Sequence, residues 1–156
     1  MKDLLQSRLY AEIPITRQMG LKVVKADSRE VTITAPLEPN INHKATAFGG
    51  TIASALLLSG WGLAEVRLRA WGLRAHVVVM KTEIEYLLPV EGDFSATCSL
   101  EDEQVWEDFY HRLTRKNKAR LKLEGTVHIK GEIAARFSAL YVAMMENMQD
   151  RTASRC

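Results

Sequence analysis

The sequence predicts an α+β domain in which an antiparallel sheet wraps one long buried helix. Three observations carry that expectation. Residues 51–69 form a helix-length run rich in Ala and Leu, apolar nearly all round until Glu65, as expected of a helix covered on most sides. Residues 77–88 and 119–129 alternate apolar with polar or charged side chains at the period of a strand. Short turn sequences, Asp27-Ser28-Arg29-Glu30 and Lys130-Gly131-Glu132, join strand-like runs into hairpins.

In chain order, Leu4, Leu5, Leu9 and Tyr10 recur at helical spacing, so residues 3–12 read as a short amphipathic helix ended by Pro14. Residues 15–19 read as a single turn stopped by Gly20. Strands follow at 21–26 and 31–35, where Val31, Ile33 and Ala35 alternate with Thr32 and Thr34. Pro36 and Pro39 break the pairing and launch a polar loop, 40–50, that leads into the helix at 51–69. Gly60 and Gly62 inside that helix imply close packing against strands, Arg67 and Arg69 suit the negative end of its dipole, and Gly72 is placed to cap it. The strand at 77–88 is expected to carry Val78, Met80, Thr82, Ile84, Tyr86 and Leu88 on one face and Lys81, Glu83 and Glu85 on the other. After a turn at 89–93 and a strand at 94–100, Trp106, Phe109, Tyr110 and Leu113 predict an amphipathic helix inserted within 101–118. Strands at 119–129 and 133–144 complete one domain over 1–145, and 146–156 reads as a polar tail.

A chain of 156 residues, 47% apolar and 26% charged, is long enough for one real core. Twenty-one basic against 19 acidic residues leave a net charge of +2, too small to argue for nucleic acid. Cys98 and Cys156 form neither a disulfide framework nor a metal spacing. The first residues lack the apolar run of a signal peptide, and the uncharged stretch 45–64 begins in a turn and is too short to cross a bilayer; a cytoplasmic protein off the membrane is expected.

The chemistry centres on Asn40-Ile41-Asn42-His43-Lys44-Ala45-Thr46-Ala47-Phe48-Gly49-Gly50. Glycines at a helix start allow close approach and leave N–H donors open at the positive end of the dipole. Such donors suit an anion or a polarised carbonyl oxygen. Asn42, with Asn40 beside it, can orient a water or a thioester; either can equally build a turn. His43 is the side chain of this loop that titrates near neutrality, a candidate base or simply a solvated residue. Thr46 and Phe48 are candidate substrate contacts. Lys81 and Glu83 are candidates from the strand, Glu83 as a carboxylate across a dimer interface; the alternative is a salt-bridged sheet face. No serine stands in a nucleophile elbow. The basic run Arg112, Arg115, Lys116, Lys118 and Arg120 is a solvated face or a meeting place for phosphates or an acidic protein.

Asn42-x-x-x-Thr46-x-Phe48-Gly49-Gly50 before a buried helix, and Tyr86-Leu87-x-Pro89-Val90-x-Gly92-Asp93 after a long strand, resemble the hotdog-fold thioesterases. Ile13-Pro14, Met19-Gly20 and Gly60-Trp61-Gly62 are similar to one bacterial subgroup, a thioesterase domain sometimes fused to an acetyltransferase domain. The resemblance implies a homodimer, or a dimer of dimers, with interface sites for acyl-CoA or acyl-carrier-protein thioesters. It implies no metal and no cofactor, CoA or phosphopantetheine being part of the substrate. On the hydrolase reading Gly49 and Gly50 would hold the carbonyl oxygen, Asn42 would orient substrate or water, and His43 or a carboxylate elsewhere would take the proton. Many hotdog thioesterases carry a catalytic Asp or Glu on the central helix, seven residues after the second glycine; Leu57 stands there in this chain. The resemblance therefore leaves the base open, and with it two functions: hydrolysis of an acyl thioester, or a non-catalytic hotdog module that binds acyl thioesters or mediates dimerisation.

Overall fold

A computed structural model describes residues 1–146 of the chain. The tail expected at 146–156 lies, beyond Glu146, outside the described residues. The elements follow in the expected order: α1 (Lys2–Glu12), α2 (Ile15–Gln18), β1 (Lys22–Ala26), β2 (Glu30–Ala35), a 3₁₀ turn (Glu38–Asn40), α3 (Gly49–Ala70), β3 (Ala75–Tyr86), β4 (Phe94–Ser99), α4 (Glu103–Lys116), β5 (Lys118–Ile129) and β6 (Glu132–Met145). The six strands form one antiparallel sheet in the order β1-β2-β4-β5-β6-β3, and α3 packs across all of them. This is the hotdog fold.

The reasons are local. Val31, Ile33 and Ala35 are buried while Thr32 and Thr34 are half-buried, so β2 has one core face as its alternation requires. Leu56, Leu63, Ala55 and Ala64 of α3 are fully buried against that face. Gly60 leaves room for the Tyr141 hydroxyl, 2.5 Å from where a Cβ would stand, and that hydroxyl donates to the Leu57 carbonyl at 2.7 Å. Gly62 meets a helix as well as a strand: Leu5 of α1 and Val31 of β2. The β5–β6 hairpin closes on Lys130 and Gly131, both at positive φ (50° and 84°), the tight turn that matches strand twist. Burial pushes the Cys98 thiol up to about 12, leaving an inert core thiol.

The apolar stripe of α4 is packing. Trp106, Phe109 and Leu113 are buried, and Trp106 meets Trp71, just past α3, edge-on at 5.9 Å. Arg67 of α3 lies 5.1 Å from the Trp71 and Trp106 rings and pairs with Glu103, clamping the two helices together.

One expectation is corrected. The ladder between β3 and β6 slips between Val79 and Lys81, making Met80 the extra residue of a bulge. Val77, Val79, Thr82, Ile84 and Tyr86 stand opposite the buried Ala143, Tyr141, Ala139, Phe137 and Ala135, on the core side. Val78 falls instead on the outer face with Lys81, Glu83 and Glu85. Being at the end of the sheet, β3 leaves Val78, Val79 and Met80 exposed. The opposite edge strand, β1, also has an irregularity, at Val23–Lys25, and lysines, as β3 has its bulge and Lys81; what sets β3 apart is its length, 12 residues against 5, and the exposed run Val78, Val79 and Met80.

Among the described residues no helix is long and apolar enough to cross a membrane, and no group of three or more His, Cys, Asp and Glu is placed to hold a metal.

Candidate active site

The central helix begins two residues earlier than its apolar run, so that Gly49 and Gly50 are its first two helical positions. Phe48 caps it in an extended conformation (φ −61°, ψ 128°), and its carbonyl accepts from the Thr51 and Ile52 N–H groups. Neither the Gly49 nor the Gly50 N–H has an acceptor among the described residues. These are the orphan donors that every helix start leaves, here at the positive end of 22 aligned peptide dipoles.

Two distant sequence stretches meet at this helix start. The Ala47 N–H donates to the Val90 carbonyl at 2.7 Å, and the Tyr86 hydroxyl donates to the Gly49 carbonyl at 2.9 Å. Between them lies an open cleft of about 380 Å³, whose lining includes Asn42, Thr46, Gly49, Ile52, Tyr86 and Leu88. A Cβ on Gly49 would stand 3.4 Å from the Tyr86 ring, so the glycine keeps the cleft floor open. Tyr86 is the site residue that sequence reasoning did not single out; its only signal was its place in the Tyr-Leu-x-Pro-Val stretch.

Asn42 builds the loop wall. Its Oδ1 accepts from the Lys44 and Thr46 N–H groups at 2.8 and 3.2 Å. Its Nδ2 donates to Thr46 Oγ1 and the Ala47 carbonyl at 2.9 and 3.3 Å. All four hydrogen-bonding positions of the amide are therefore occupied. They hold a turn in which Ala45 sits at φ 59°, a left-handed conformation that a methyl side chain does not favour. We expect Asn42→Ala to lower stability by about 1–3 kcal/mol, read by chemical denaturation, because the strained turn and the orphaned Thr46 amide lose their partners. Unchanged stability with turnover abolished would instead give Asn42 a direct chemical role.

The other expected residues are placed differently. Asn40, expected at the substrate, is buried and used within the protein: Nδ2 donates to the Met19 and Pro36 carbonyls at 2.8 and 2.7 Å, and Oδ1 accepts from Thr51 Oγ1 at 3.0 Å. Phe48 turns away from the cleft into a neighbouring hollow with Ile15, Met19 and Ile41, its ring lying over Gly50. His43 is exposed on the loop and does not line the cleft. Lys81 and Glu83 are exposed on the outer face of β3, bonded to each other at 2.9 Å, with Lys81 holding the Glu83 carboxyl below its ordinary range. Tyr86 is on the inner face, so this pair does not reach the cleft of its own protomer. Gly49, Asn42 and Thr46 are thus brought together at the cleft; Gly50, beneath the Phe48 ring, is not part of its lining, and Asn40, His43, Phe48, Lys81 and Glu83 do not line it either.

Residues 2–145 match the sequence model of the family described as "Putative thioesterase (yiiD_Cterm)". The chain belongs to this family. Among solved structures, this thioesterase-family chain is 29% identical to a protein of unknown function from Chlorobaculum tepidum, covering 93% of this chain and 94% of that one with a TM-score of 0.88. It is 28% identical to a protein of Shewanella oneidensis described as a "putative thioesterase", covering 92% and 96% with a TM-score of 0.83. The Haemophilus influenzae thioesterase HI1161 shares the fold at 10% identity, with a TM-score of 0.70 over 93% and 91% of the two chains.

Proposed function

We propose that this chain is a homodimeric acyl-thioester hydrolase in which the Gly49 and Gly50 amides receive the thioester oxygen. The observation that carries the reading is the acceptor-free Gly49 N–H in the lining of the open cleft flanked by Tyr86, with the acceptor-free Gly50 N–H next to it in the chain. Attack of water on a thioester carbonyl puts negative charge on its oxygen, and preorganised donors stabilise that charge without reorganising. The thiol that leaves is acidic enough, with an ordinary value of about 8.5, to depart with little protonation. The attacking water must also pass a proton to a base, from which the departing thiolate can recover it; the helix-start amides supply only the stabilisation of the oxygen. CoA or phosphopantetheine would arrive as part of the substrate, so the reading needs no separate cofactor.

One observation favours the second reading, a non-catalytic module that binds acyl thioesters. No carboxylate and no imidazole is among the residues described as lining the cleft, and Leu57 is half-buried in α3. Thiol release from short, long and aromatic acyl-CoAs, and from acyl-carrier protein, decides between them. Turnover supports the hydrolase; saturable binding without turnover supports the module; neither refutes both. Because His43 stands outside the cleft, His43→Ala is expected to keep the turnover of the parent.

The dimer is supported by the exposed edge of β3, twelve residues long with Val78, Val79 and Met80 uncovered. An apolar, unpaired edge of that length is a template for a second strand. Pairing β3 with its own copy, antiparallel, continues the sheet about a two-fold axis. We expect Val79→Glu to convert the protein to a monomer in analytical ultracentrifugation, since it puts a carboxylate into the exposed apolar run Val78, Val79 and Met80 that the pairing would cover. A dimer that survives this change would remove β3 as the interface.

A further inference from the structure

Three side chains in the lining of the cleft can donate a hydrogen bond: Asn42, Thr46 and Tyr86. Two of them spend their protons within the protein. The Asn42 amide donates to Thr46 Oγ1 and the Ala47 carbonyl, and the Tyr86 hydroxyl donates to the Gly49 carbonyl. Thr46 is different. Its N–H donates to Asn42 Oδ1 at 3.2 Å, its carbonyl accepts from the Asn42 N–H at 2.8 Å, and its Oγ1 accepts from Asn42 Nδ2 at 2.9 Å. Every polar group of the residue is thus tied to Asn42 except the hydroxyl proton, which has no acceptor among the described residues.

The direction of that proton follows from its neighbours. A loop threonine ordinarily turns its hydroxyl back onto the backbone of its own turn. Here an amide N–H occupies the turn side of Oγ1, and Asn42 Oδ1 already accepts from the Lys44 and Thr46 N–H groups. The turn therefore has no acceptor to offer, and the O–H is left to the cleft that Thr46 lines. A hydroxyl that accepts one hydrogen bond is polarised into a stronger donor of another. Around it Ile52, Leu87, Leu88, Pro89 and Val90 make the lining largely apolar, where a hydrogen bond is worth more than in water.

We infer that the Thr46 hydroxyl donates to the carbonyl oxygen of the acyl thioester in the cleft, as a second donor beside the Gly49 N–H. Gly49 shares the lining with Thr46 and its N–H is open, whereas Gly50 lies beneath the Phe48 ring. The carbonyl oxygen is the productive acceptor, because it gains negative charge during attack and a preorganised donor stabilises that charge. A donor pointed at the attacking water would instead tie up a lone pair that attack requires. Asn42 is on this account a positioning residue, which fixes Thr46 and aims its proton. The inference rests on the reading of the cleft as the thioester site, though not on turnover there.

The test is a cycle on the full-length protein that removes the donor and the acceptor in turn, read as binding by calorimetry. The probes are analogues of hexanoyl-CoA and benzoyl-CoA with methylene in place of sulfur, each made as the ketone and as a twin with methylene in place of the carbonyl. The same pairs are presented on acyl-carrier protein. Thr46→Val should weaken binding of the ketone by about fivefold to tenfold and of its carbonyl-free twin by less than about twofold. Thr46→Ser, which keeps the hydroxyl, should retain the preference for the ketone. Equal weakening of both ligands makes the hydroxyl a brace for the loop, and no weakening of either makes it idle; each result overturns the inference. Where the valine variant does not fold, as read from its urea midpoint, Thr46→Ala takes its place in the cycle. On the cleavable thioester, kcat/KM should fall by at least as much as ketone binding does, because the bond strengthens as charge develops on the oxygen. A carbonyl-dependent loss of binding without any turnover upholds the donor and refutes the hydrolase. Turnover with no such loss refutes the donor and leaves the hydrolase standing. A parent protein that neither binds nor cleaves overturns both.

Discussion

Replacing Gly49 by proline is expected to lower kcat on acyl thioesters by about 10²–10³-fold while leaving α3 folded. The geometry makes this a clean deletion of one N–H. Gly49 is the first residue of the helix, where proline is well tolerated because that amide has no helical acceptor. Phe48 before it is already extended, with φ −61° and ψ 128°, as a residue preceding proline must be. Gly49→Ala is the control, since it keeps the N–H and adds a methyl group 3.4 Å from the Tyr86 ring. A steady-state comparison of the pair against thermal stability isolates the donor. If both lose activity equally, the cleft has been filled and the amide is not the carbonyl's partner; if proline is fully active, Gly49 donates nothing to the transition state.

The largest stability effect is expected at Trp106. Truncation to alanine should cost about 3–5 kcal/mol, read as a lower urea midpoint with an unchanged slope. The side chain is fully buried and its Nε1–H donates to the Leu100 carbonyl at 3.1 Å. Its ring is also half of the aromatic seat of Arg67, whose buried Nε already lacks a hydrogen-bond partner. Removing the indole therefore creates a cavity and loosens a guanidinium that holds α4 to α3. Tyr110→Ala, at a half-buried position that meets Trp71 at 5.1 Å, should cost less. A loss below about 1 kcal/mol at Trp106 would mean that α4 is not part of the cooperative core.

The element order was legible because most elements announce themselves by period or by a stop signal. β2 and β5 alternate, α4 carries a three-and-four stripe, and the Lys130–Gly131 turn has few other conformations available. The face of β3 was not legible for a physical reason. Val77, Val78, Val79 and Met80 are four apolar residues in a row, so nothing in their chemistry marks where one of them bulges out. At the site, the glycine pair was legible from general helix physics. The role of Asn42 was not, because an asparagine that faces a substrate and one that braces a turn have the same neighbours in sequence. The difference lies in four hydrogen bonds and a left-handed Ala45, which only coordinates reveal. The pairing of Tyr86 with Gly49 joins segments far apart in sequence and leaves no local trace.

The position of β3 in the sheet also bears on how the protein is made. Its hydrogen-bonding neighbour is β6, the final strand, so β3 emerges from the ribosome with both edges bare and stays so until residues 132–145 follow. Pairing that waits on distant sequence is slow, and an apolar strand left waiting is exposed to aggregation. The finished chain offers one free edge at β3 and can close into a pair. A chain terminated before β6 offers two, and an element that can be extended on both sides has no reason to stop at two copies. If β3 pairs with its own copy as proposed, completion of the last strand is what separates a closed assembly from an open-ended one.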